Sequence, residues 1–342
     1  MNGTLTALKG VSVGHAENKQ KNLGCTLVLF DSPLNVACIT NGGASTTYNT
    51  TTLDLDKNYY QRHGIFLSDG GYVGLDTAAF MSKALQQRNI GWKAGKVAHP
   101  ALTGAAIRSI FISNYGFDSE MAAHTVLNLS KNPIKSGNVG VGMGAMVGKF
   151  SWTENGKCLG MKSGIGSAKV DLGNGAVVYV LTVVNALGNV IHKNGTVLAG
   201  NRNDKPQPKF RSFDGMSDFL LHKHMNTTIS IIGTNVKLSF VQQDLYKIAK
   251  LATHGHIRAI DPVNTSLDGD TIFAFTTSEV DLSLNAVGKQ IERGEWWKLQ
   301  TDIIGQYSAD AVRKSIYDAC DQAESIKYED GYGGIIPSAK DY

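Results

Sequence analysis

The sequence predicts a mixed α/β fold. Two features indicate it: short runs rich in Val, Ile, Leu and Thr that are separated by Gly and Asn, and stretches with helical spacing between them. The 342-residue chain is 42% hydrophobic and 18% charged, which allows a large core and is unlike a disordered protein. This length fits one large domain or two moderate ones. The predicted strands are residues 26–30, 35–40, 64–68, 177–185, 228–234 and 271–277.

Helical periodicity predicts the elements between the strands. One helix begins near Asp76 and continues through residue 84, and further helices are predicted at residues 118–129 and 308–324. Ser239 and Gln242 form an S-x-x-Q pattern, which predicts a capping box for another helix. The polar residues 201–225, which include two prolines, are interpreted as an exposed linker.

Charge and cysteine content exclude several classes of protein. The net charge of +4 comes from 33 basic and 29 acidic residues spread along the chain, so we expect no nucleic-acid partner. The four cysteines form no C-x-x-C pair, which argues against a disulfide framework or a zinc site. We find no secretory signal pattern, and no apolar run is long enough for a membrane span. The sequence predicts a soluble, cytoplasmic protein without metal or cofactor.

A polar segment gives way to a predicted strand at H-M-N-T-T-I-S-I-I, residues 224–232. A Thr hydroxyl alone is a weak nucleophile, but a Thr at a free N-terminus carries its own α-amino group as base. That amine has a pKa of about 7.7–8.0, near working pH. Cutting the Asn226–Thr227 bond would therefore turn Thr227 into a nucleophile. The same residues also fit a polar strand entry or an N-x-[ST] sequon, a pattern that occurs five more times in the chain.

Residues 137–149 form a glycine-rich run, G-N-V-G-V-G-M-G-A-M-V-G-K. Its glycine spacing does not fit a phosphate-binding P-loop, and it does not link a strand to a helix as a dinucleotide fingerprint must. Alternating glycines suit backbone that packs closely against other backbone near a site, although a plain tight strand or turn fits as well. Lys149 at its end is either a surface charge or a donor to a bound group.

Two further polar positions adjoin predicted strands. Asn185 ends an apolar strand, where its amide either donates to a developing oxyanion or caps a turn. Asp268 and Asp270 precede another strand in D-G-D-T, where paired acids orient ammonium groups or bind a metal, while D-G is also a turn signal. With no histidine cluster nearby, we expect no metal.

These segments occur together, in this order, in a known family. The chain resembles the self-cleaving peptidase family of the L-aminopeptidase/D-esterase, the β-peptidyl aminopeptidases and the endo-type 6-aminohexanoate-oligomer (nylon oligomer) hydrolase. The resemblance covers nearly the whole chain, and its specificity lies in the ordered set of motifs. The motifs are G-V-S-V-G-H-A at 10–16, G-C-T-L-V-L from 24, N-G-G-A from 41, the glycine-rich run, V-N-A-L-G-N-V from 184, N-T-T-I from 226 and D-G-D-T-I-F-A from 268.

The resemblance implies an αββα sandwich like that of N-terminal nucleophile hydrolases. It also implies a single domain built from two chains: an α chain, residues 1–226, and a β chain, residues 227–342, after self-cleavage between Asn226 and Thr227. By similarity Thr227 matches the nucleophile, Asn185 and Lys149 match supporting polar groups, and two aspartates lie close by. The implied substrate is a peptide or a linear amide oligomer. The implied assembly is a homo-oligomer, commonly a tetramer in this family. The two aspartates that lie close to Thr227 by similarity are Asp268 and Asp270.

The sequence departs from the family pattern at three places. Arg108 stands where a tyrosine is expected, Asn264 stands where relatives often have histidine, and the residues after Asn41 read G-G-A-S-T-T-Y instead of G-G-A-P-G-T. A non-catalytic binding protein with a decayed site is therefore the alternative. A nucleotide-binding enzyme that uses the glycine-rich run is a second alternative, but neither phosphate motif fits.

Overall fold

The computed structural model describes residues 2–111, 116–153, 158–203, 209–221, 226–282, 296–328 and 334–342. The strands are β1 (Val11–Asn18), β2 (Leu23–Thr40), β3 (Thr47–Tyr48), β4 (Gln61–Ser68), β5 (Trp92–Ala94), β6 (Val97–His99), β7 (Leu102–Ala106), β8 (Met146–Val147), β9 (Met161–Lys162), β10 (Ile165–Gly173), β11 (Ala176–Asn185), β12 (Asn189–Ile191), β13 (Val197–Ala199), β14 (Thr227–Val236), β15 (Ile260–Asp261), β16 (Thr271–Val280), β17 (Ile326–Tyr328) and β18 (Gly334–Ile336). The α-helices are α1 (Thr77–Gln87), α2 (Ala123–Leu127), α3 (Gly215–Leu221), α4 (Val241–Ile257) and α5 (Trp296–Asp321). Short 3₁₀ helices are Leu5–Ala7, Thr51–Leu53, Val73–Asp76, Ser119–Ala122 and Gly140–Gly144.

The main strands pair in the order β10-β11-β14-β16-β2-β4-β7-β3, and β1 pairs with β2. Most neighbours are antiparallel, but β14 pairs with β16 in parallel and β4 pairs with β7 in parallel. The 18-residue β2 belongs to both halves of this arrangement. Its first part pairs with β1 and β4, and its end pairs with β16. One long strand therefore connects two sheet halves.

The apolar residues form three layers of core. Between the two sheet halves, Phe30 of β2 packs with Ile229, Ile231 and Phe273. The outer face of one half is covered by α4 and α5, and the outer face of the other by α1 and α2. The arrangement is helix, sheet, sheet, helix, so the expected αββα sandwich is confirmed.

The strand predicted at residues 26–30 and the one at 35–40 are a single strand in the structure. The intervening D-S-P sequence resembles a turn, because proline has no N–H to donate to a ladder. The pairing of β2 with β4 is irregular between Leu29 and Leu34. Pro33 lies within this irregularity, where a missing donor costs no ladder bond.

The capping box predicted for α4 is wrong. The residue at the N-cap is Phe240, whose backbone N–H donates to the Asp244 carboxylate at 2.9 Å. The Gln242 amide instead donates to the carbonyl oxygens of Val36 and Leu53, at 3.0 and 3.2 Å. Packing of α4 against β2 thus overrides the local pattern. The helix predicted at 118–129 is split and shorter, and α5 begins twelve residues before the predicted 308.

The segment predicted as a linker is folded where the structure describes it. Asn201 is fully buried, and its amide donates to the Gly148 carbonyl at 2.6 Å. Helix α3 lies within the same segment, and Arg211 forms an ion pair of 2.7 Å with the buried Asp218. The segment therefore combines buried polar contacts at Asn201 and Asp218 with exposed residues at 209, 212 and 214–216. Residues 204–208 and 222–225 lie outside the described part.

The four cysteines all carry free thiols. Among the described helices, none combines the length and the apolar character that a membrane crossing requires.

Candidate active site

Thr227 and Asn185 lie opposite each other in the sheet. Thr227 is the first residue of β14 and Asn185 is the last of β11, and the antiparallel register pairs them directly. Side chains alternate along a strand, so Thr227 shares a face with Ile229 and Ile231. Those two residues belong to the core between the sheet halves. The hydroxyl of Thr227 is therefore placed at the inner edge of the sandwich, with only 3% of the residue exposed.

Two donors meet on the carbonyl oxygen of Asn226, the residue before Thr227. The Thr227 hydroxyl donates to this oxygen at 2.5 Å, and the backbone N–H of Gly269 donates to it at 2.7 Å. The Asn226 N–H donates in turn to the Leu267 carbonyl at 3.0 Å. The Asn226–Thr227 peptide bond is thus held in place from both sides, and its carbonyl is polarised by an N–H that is already aimed at it.

Gly269 could not be replaced here without displacing the hydroxyl. A Cβ atom at this position would lie 2.7 Å from the Thr227 Oγ1. Sequence reasoning treated the D-G step only as a turn signal, and so it missed this residue. The signal that was present is the glycine between two acids immediately before β16, the strand that pairs in parallel with β14.

The two acids beside Gly269 are buried and hydrogen-bonded to backbone. Asp270 accepts from the N–H groups of Thr228 at 2.6 Å and Asn264 at 2.9 Å. Asp268 accepts from the N–H and the hydroxyl of Thr265, at 2.8 and 2.7 Å. Burial raises the pKa of Asp268. Burial, and next the charge of Asp268, raise the pKa of Asp270 to about 7. Burial and mutual repulsion therefore disfavour the form of the pair in which both carboxyls are ionised.

Lys149 is fully buried and is bound to Asn185. Its Nζ donates to the Asn185 Oδ1 at 2.7 Å and to the Asn185 backbone carbonyl at 3.1 Å. The Asn185 Nδ2 donates to the Arg108 carbonyl at 3.0 Å. The backbone N–H of Met146 also donates to the Asn185 Oδ1, at 3.3 Å, and because a backbone N–H can only donate, this contact fixes which end of the Asn185 amide is oxygen. The interpretation of Lys149 as a surface charge is wrong.

Burial lowers the pKa of Lys149 to about 7, against the opposing influence of the nearby Cys158 and Asp268. A neutral amine has two N–H groups, and Asn185 accepts two hydrogen bonds from this nitrogen. In the neutral form of Lys149 both N–H groups can therefore donate to Asn185, and the nitrogen lone pair takes part in neither hydrogen bond. Groups with pKa values near the working pH suit proton transfer, and such groups concentrate at active sites.

The glycine-rich run packs backbone against backbone, as one of its two interpretations expected. It forms the 3₁₀ helix Gly140–Gly144 followed by β8. A Cβ at Gly142 would lie 2.4 Å from the Ile165 nitrogen, and one at Gly144 would lie 2.7 Å from the Asn22 carbonyl oxygen. This close approach lets the run deliver Lys149 into the interior.

Asp69 is a further buried acid that sequence reasoning missed. Its Oδ1 accepts from the N–H groups of Gly70 at 2.7 Å and Ser109 at 2.9 Å. Its Oδ2 accepts no hydrogen bond from the described residues. Burial raises the pKa of Asp69, and Lys149 is close enough to oppose that shift. The signal was a D-G-G sequence directly after the predicted strand at 64–68.

A pocket of about 370 Å³ opens beside Thr227. Arg108, which departs from the family pattern, lines the same pocket as Thr227, the candidate nucleophile. Within the described residues, no group of three or more His, Cys, Asp or Glu side chains is placed to hold a metal ion. The pocket is lined by Thr46, Gly70, Gly71, Tyr72, Val73, Ala106, Arg108 and Thr227.

The residues predicted for the site therefore come together. Thr227 pairs with Asn185, Asn185 binds Lys149, and the carbonyl before Thr227 binds the glycine between Asp268 and Asp270. This is a continuous network of contacts drawn from β11, β14, the segment before β16 and the end of the glycine-rich run.

Comparison with known proteins gives matches over most of the chain. The model of peptidase family S58 matches residues 3–333. The 6-aminohexanoate-oligomer endohydrolase of Agromyces sp. (strain KY5R) is 29% identical over 281 residues, which cover 80% of this chain and 74% of that protein. An uncharacterized aminopeptidase of Mycobacterium leprae (strain TN) is 26% identical, over 98% of this chain and 95% of that protein.

A solved structure shares the architecture. The L-aminopeptidase D-Ala-esterase/amidase of Ochrobactrum anthropi, described as a new variant among the Ntn hydrolase fold, superposes with a TM-score of 0.65 at 15% identity. The superposition covers 99% of this chain and 92% of that one. At this identity the likeness establishes the fold, and the sandwich of two sheet halves between helices agrees with it.

Proposed function

The chain belongs to peptidase family S58, and we propose that it is a self-cleaving amide hydrolase in which Thr227 is the nucleophile. The observation that carries the proposal is the pair of contacts on the Asn226 carbonyl oxygen, from the Thr227 hydroxyl and from the Gly269 N–H. An attacking hydroxyl and an oxyanion donor are the two groups that acyl transfer needs at a carbonyl.

The first stage is self-cleavage. The Thr227 Oγ1 attacks the Asn226 carbonyl carbon, and the negative charge that develops on the oxygen is stabilised by the Gly269 N–H. The C–N bond then breaks, and the proton of the hydroxyl ends on the released Thr227 amine. Water hydrolyses the resulting ester, which leaves a carboxylate on Asn226 and a free N-terminal Thr227. The products are an α chain of residues 1–226 and a β chain of residues 227–342.

The second stage is turnover of a substrate amide. The free amine of Thr227 takes the hydroxyl proton while the oxygen attacks the substrate carbonyl. The substrate C–N bond then breaks, the proton passes to the departing amine, and water hydrolyses the acyl-enzyme. Asn185 stands opposite Thr227, where its amide stabilises the oxyanion. Lys149 holds the Asn185 oxygen and so orients that amide. Asp268 and Asp270 lie on the other side of Thr227 and provide negative charge for the ammonium form of its new N-terminus.

The substrate class follows from the relatives. Aminopeptidases and a 6-aminohexanoate-oligomer endohydrolase are among them, so a peptide or a linear amide oligomer is the proposed substrate. A binding protein with a decayed site is disfavoured, because it would not need to retain two donors on the Asn226 carbonyl or a buried lysine on Asn185. We also propose a homo-oligomer, as the family resemblance implies, which light scattering of the purified protein tests.

The test of the proposed function is the mass of the purified protein under denaturing conditions. Residues 227–342 make up 116 of 342 residues, so a fragment of about 12 kDa is expected in proportion to chain length. Edman sequencing of that fragment should begin T-T-I-S. An active enzyme that remains a single 36.7 kDa chain would rule out Thr227 as an N-terminal nucleophile.

A further inference from the structure

The pocket beside Thr227 contains one type of charge. Of the described residues that line it, Arg108 is the only ionised side chain, and the others are glycines, threonines, alanine, valine and tyrosine. Tyr72 and Val73 form an apolar wall, and both are largely exposed to the pocket and the solvent beyond it. A ligand in this pocket therefore meets an apolar surface and a single guanidinium.

The Arg108 side chain is held at the wall by packing rather than by a protein partner. A Cβ at Gly71 would lie 3.4 Å from the Arg108 Cδ, so the aliphatic stem lies against the Gly71 backbone. Within the described part of the chain, the guanidinium forms no ion pair with a carboxylate. The backbone at Arg108 is fixed as well, since its carbonyl accepts from the Asn185 amide.

An arginine placed in this way is ready to bind an anion. Its planar guanidinium presents paired N–H donors that match the two oxygens of a carboxylate. Arg108 is partly buried, and a guanidinium that has lost part of its hydration attracts a carboxylate more strongly than one at an open surface. Because the stem is already packed, less side-chain freedom is lost on binding.

We infer that Arg108 binds a carboxylate on the acyl part of the substrate. The inference rests on the proposed function and extends it to a substrate class: amides of acidic amino acids or of dicarboxylic acids. The acyl part is the relevant one because it stays bonded to Thr227 in the ester intermediate, while the amine leaves. The pocket that adjoins Thr227 is therefore the space that the acyl group occupies.

The experiment compares substrates of equal shape that differ in charge. The matured enzyme is assayed with the p-nitroanilides of L-Glu and L-Gln, and with glutaryl and glutaramoyl p-nitroanilide, so that the result does not depend on an α-amino group. We expect kcat/KM to be at least about tenfold higher for the acid of each pair. Arg108→Gln should remove this preference, and Arg108→Lys should keep part of it, because lysine retains the charge without the paired donors.

Lys131→Gln is the matched control. It removes a positive charge that pairs with Asp31 at the surface and does not line the pocket, so it should leave the preference unchanged. Folding of each variant is followed by self-cleavage on a denaturing gel and by the melting temperature. As a readout independent of turnover, glutarate should raise the melting temperature of the wild type and of Lys131→Gln, but not that of Arg108→Gln.

The outcomes separate the two proposals. A matured enzyme that hydrolyses none of the four amides would count against the proposed function itself, and the subsite would fall with it. Hydrolysis that does not distinguish acid from amide, or a preference that Arg108→Gln leaves intact, would overturn the carboxylate subsite and leave the nucleophile assignment standing.

Discussion

Thr227 and Asn185 are direct neighbours across two antiparallel strands, one at the start of β14 and the other at the end of β11. On the other side of β14, the parallel strand β16 is preceded by Gly269, whose N–H reaches the Asn226 carbonyl. Strand register therefore decides which groups surround the hydroxyl. Since a slip of one residue moves every side chain to the opposite face, the same register that buries Ile229 and Ile231 also positions the site.

Replacing Thr227 by Ala should leave the chain uncut and inactive, because both proposed stages use the hydroxyl. Thr227→Ser keeps a hydroxyl and should retain part of both activities. Thr228→Ala, which removes the hydroxyl of the adjacent residue, is the matched control and should still self-cleave. Denaturing gels and a chromogenic amide assay measure the two stages. If Thr227→Ala matures at the same bond, another group is the nucleophile.

Replacing Gly269 by Ala should slow self-cleavage by about 10²-fold, because displacements of this size at a reacting atom cost rates of that order. The physical reason is the Cβ atom, which would meet the Thr227 Oγ1 at 2.7 Å. Gly215→Ala is a suitable control, since its Cβ would meet only an ordinary contact at 3.9 Å. The rate of appearance of the small fragment after translation is the measurement. Equal rates in the two variants would show that Gly269 does not confine the hydroxyl.

Much of the strand pattern was predictable because it depends on local features. The stretches at 64–68, 177–185, 228–234 and 271–277 are apolar and bounded by Gly, Asn or Asp, and each coincides with a strand. The capping of α4 was not predictable from the Ser239 pattern, because the Gln242 amide binds carbonyl groups that are distant in sequence. Local patterns cannot register a tertiary partner that offers a better hydrogen bond.

The residues of the candidate site also divide into those that the sequence predicts and those that depend on tertiary contacts. Thr227, Asn185 and Lys149 were singled out by their positions at predicted strand ends and at the end of the glycine-rich run, and then by the family resemblance, and the structure brings them together. Gly269 and Asp69 were missed because their roles depend on tertiary contacts. Gly269 lies against the Thr227 hydroxyl, and Asp69 is buried inside the fold. Residue type alone predicts a turn for D-G and gives no indication of burial.

Replacing Asn185 by Ala should separate its catalytic role from its structural one. Loss of one oxyanion donor lowers turnover by roughly 10²–10³-fold, while the Michaelis constant changes little because the donor acts chiefly in the transition state. The variant also removes the Asn185 Oδ1, which accepts a hydrogen bond from the Lys149 Nζ. A lower melting temperature is therefore expected as well. The measurement is kcat and KM on matured protein that is folded at the assay temperature. Near-normal turnover in such a sample would return Asn185 to the role of a turn residue that binds Lys149.

The last prediction uses the pH dependence of stability to test the burial of Lys149. Its pKa is lowered from 10.5 to about 7 in the folded chain. Between these two values the unfolded chain binds a proton that the folded chain does not, so the contribution of Lys149 to the free energy of unfolding rises as pH increases from about 7 toward 10. Below about pH 7 both states are protonated, and the folded chain bears the full cost of the buried charge.

The comparison is made in uncut protein, with Thr227→Ala as the background, so that maturation does not alter the state being unfolded. Lys149→Met keeps a long side chain and removes the titrating group. The difference in unfolding free energy between the background protein and the Lys149→Met variant, from urea titrations at several pH values, should change by a few kcal/mol across this window, in proportion to the shift in pKa. Because every other titrating group is common to both proteins, the difference reports Lys149 together with its influence on the nearby carboxyls of Asp69 and Asp268. Parallel curves from pH 7 to 10 would mean that Lys149 keeps its proton inside the fold and contacts Asn185 as an ammonium group.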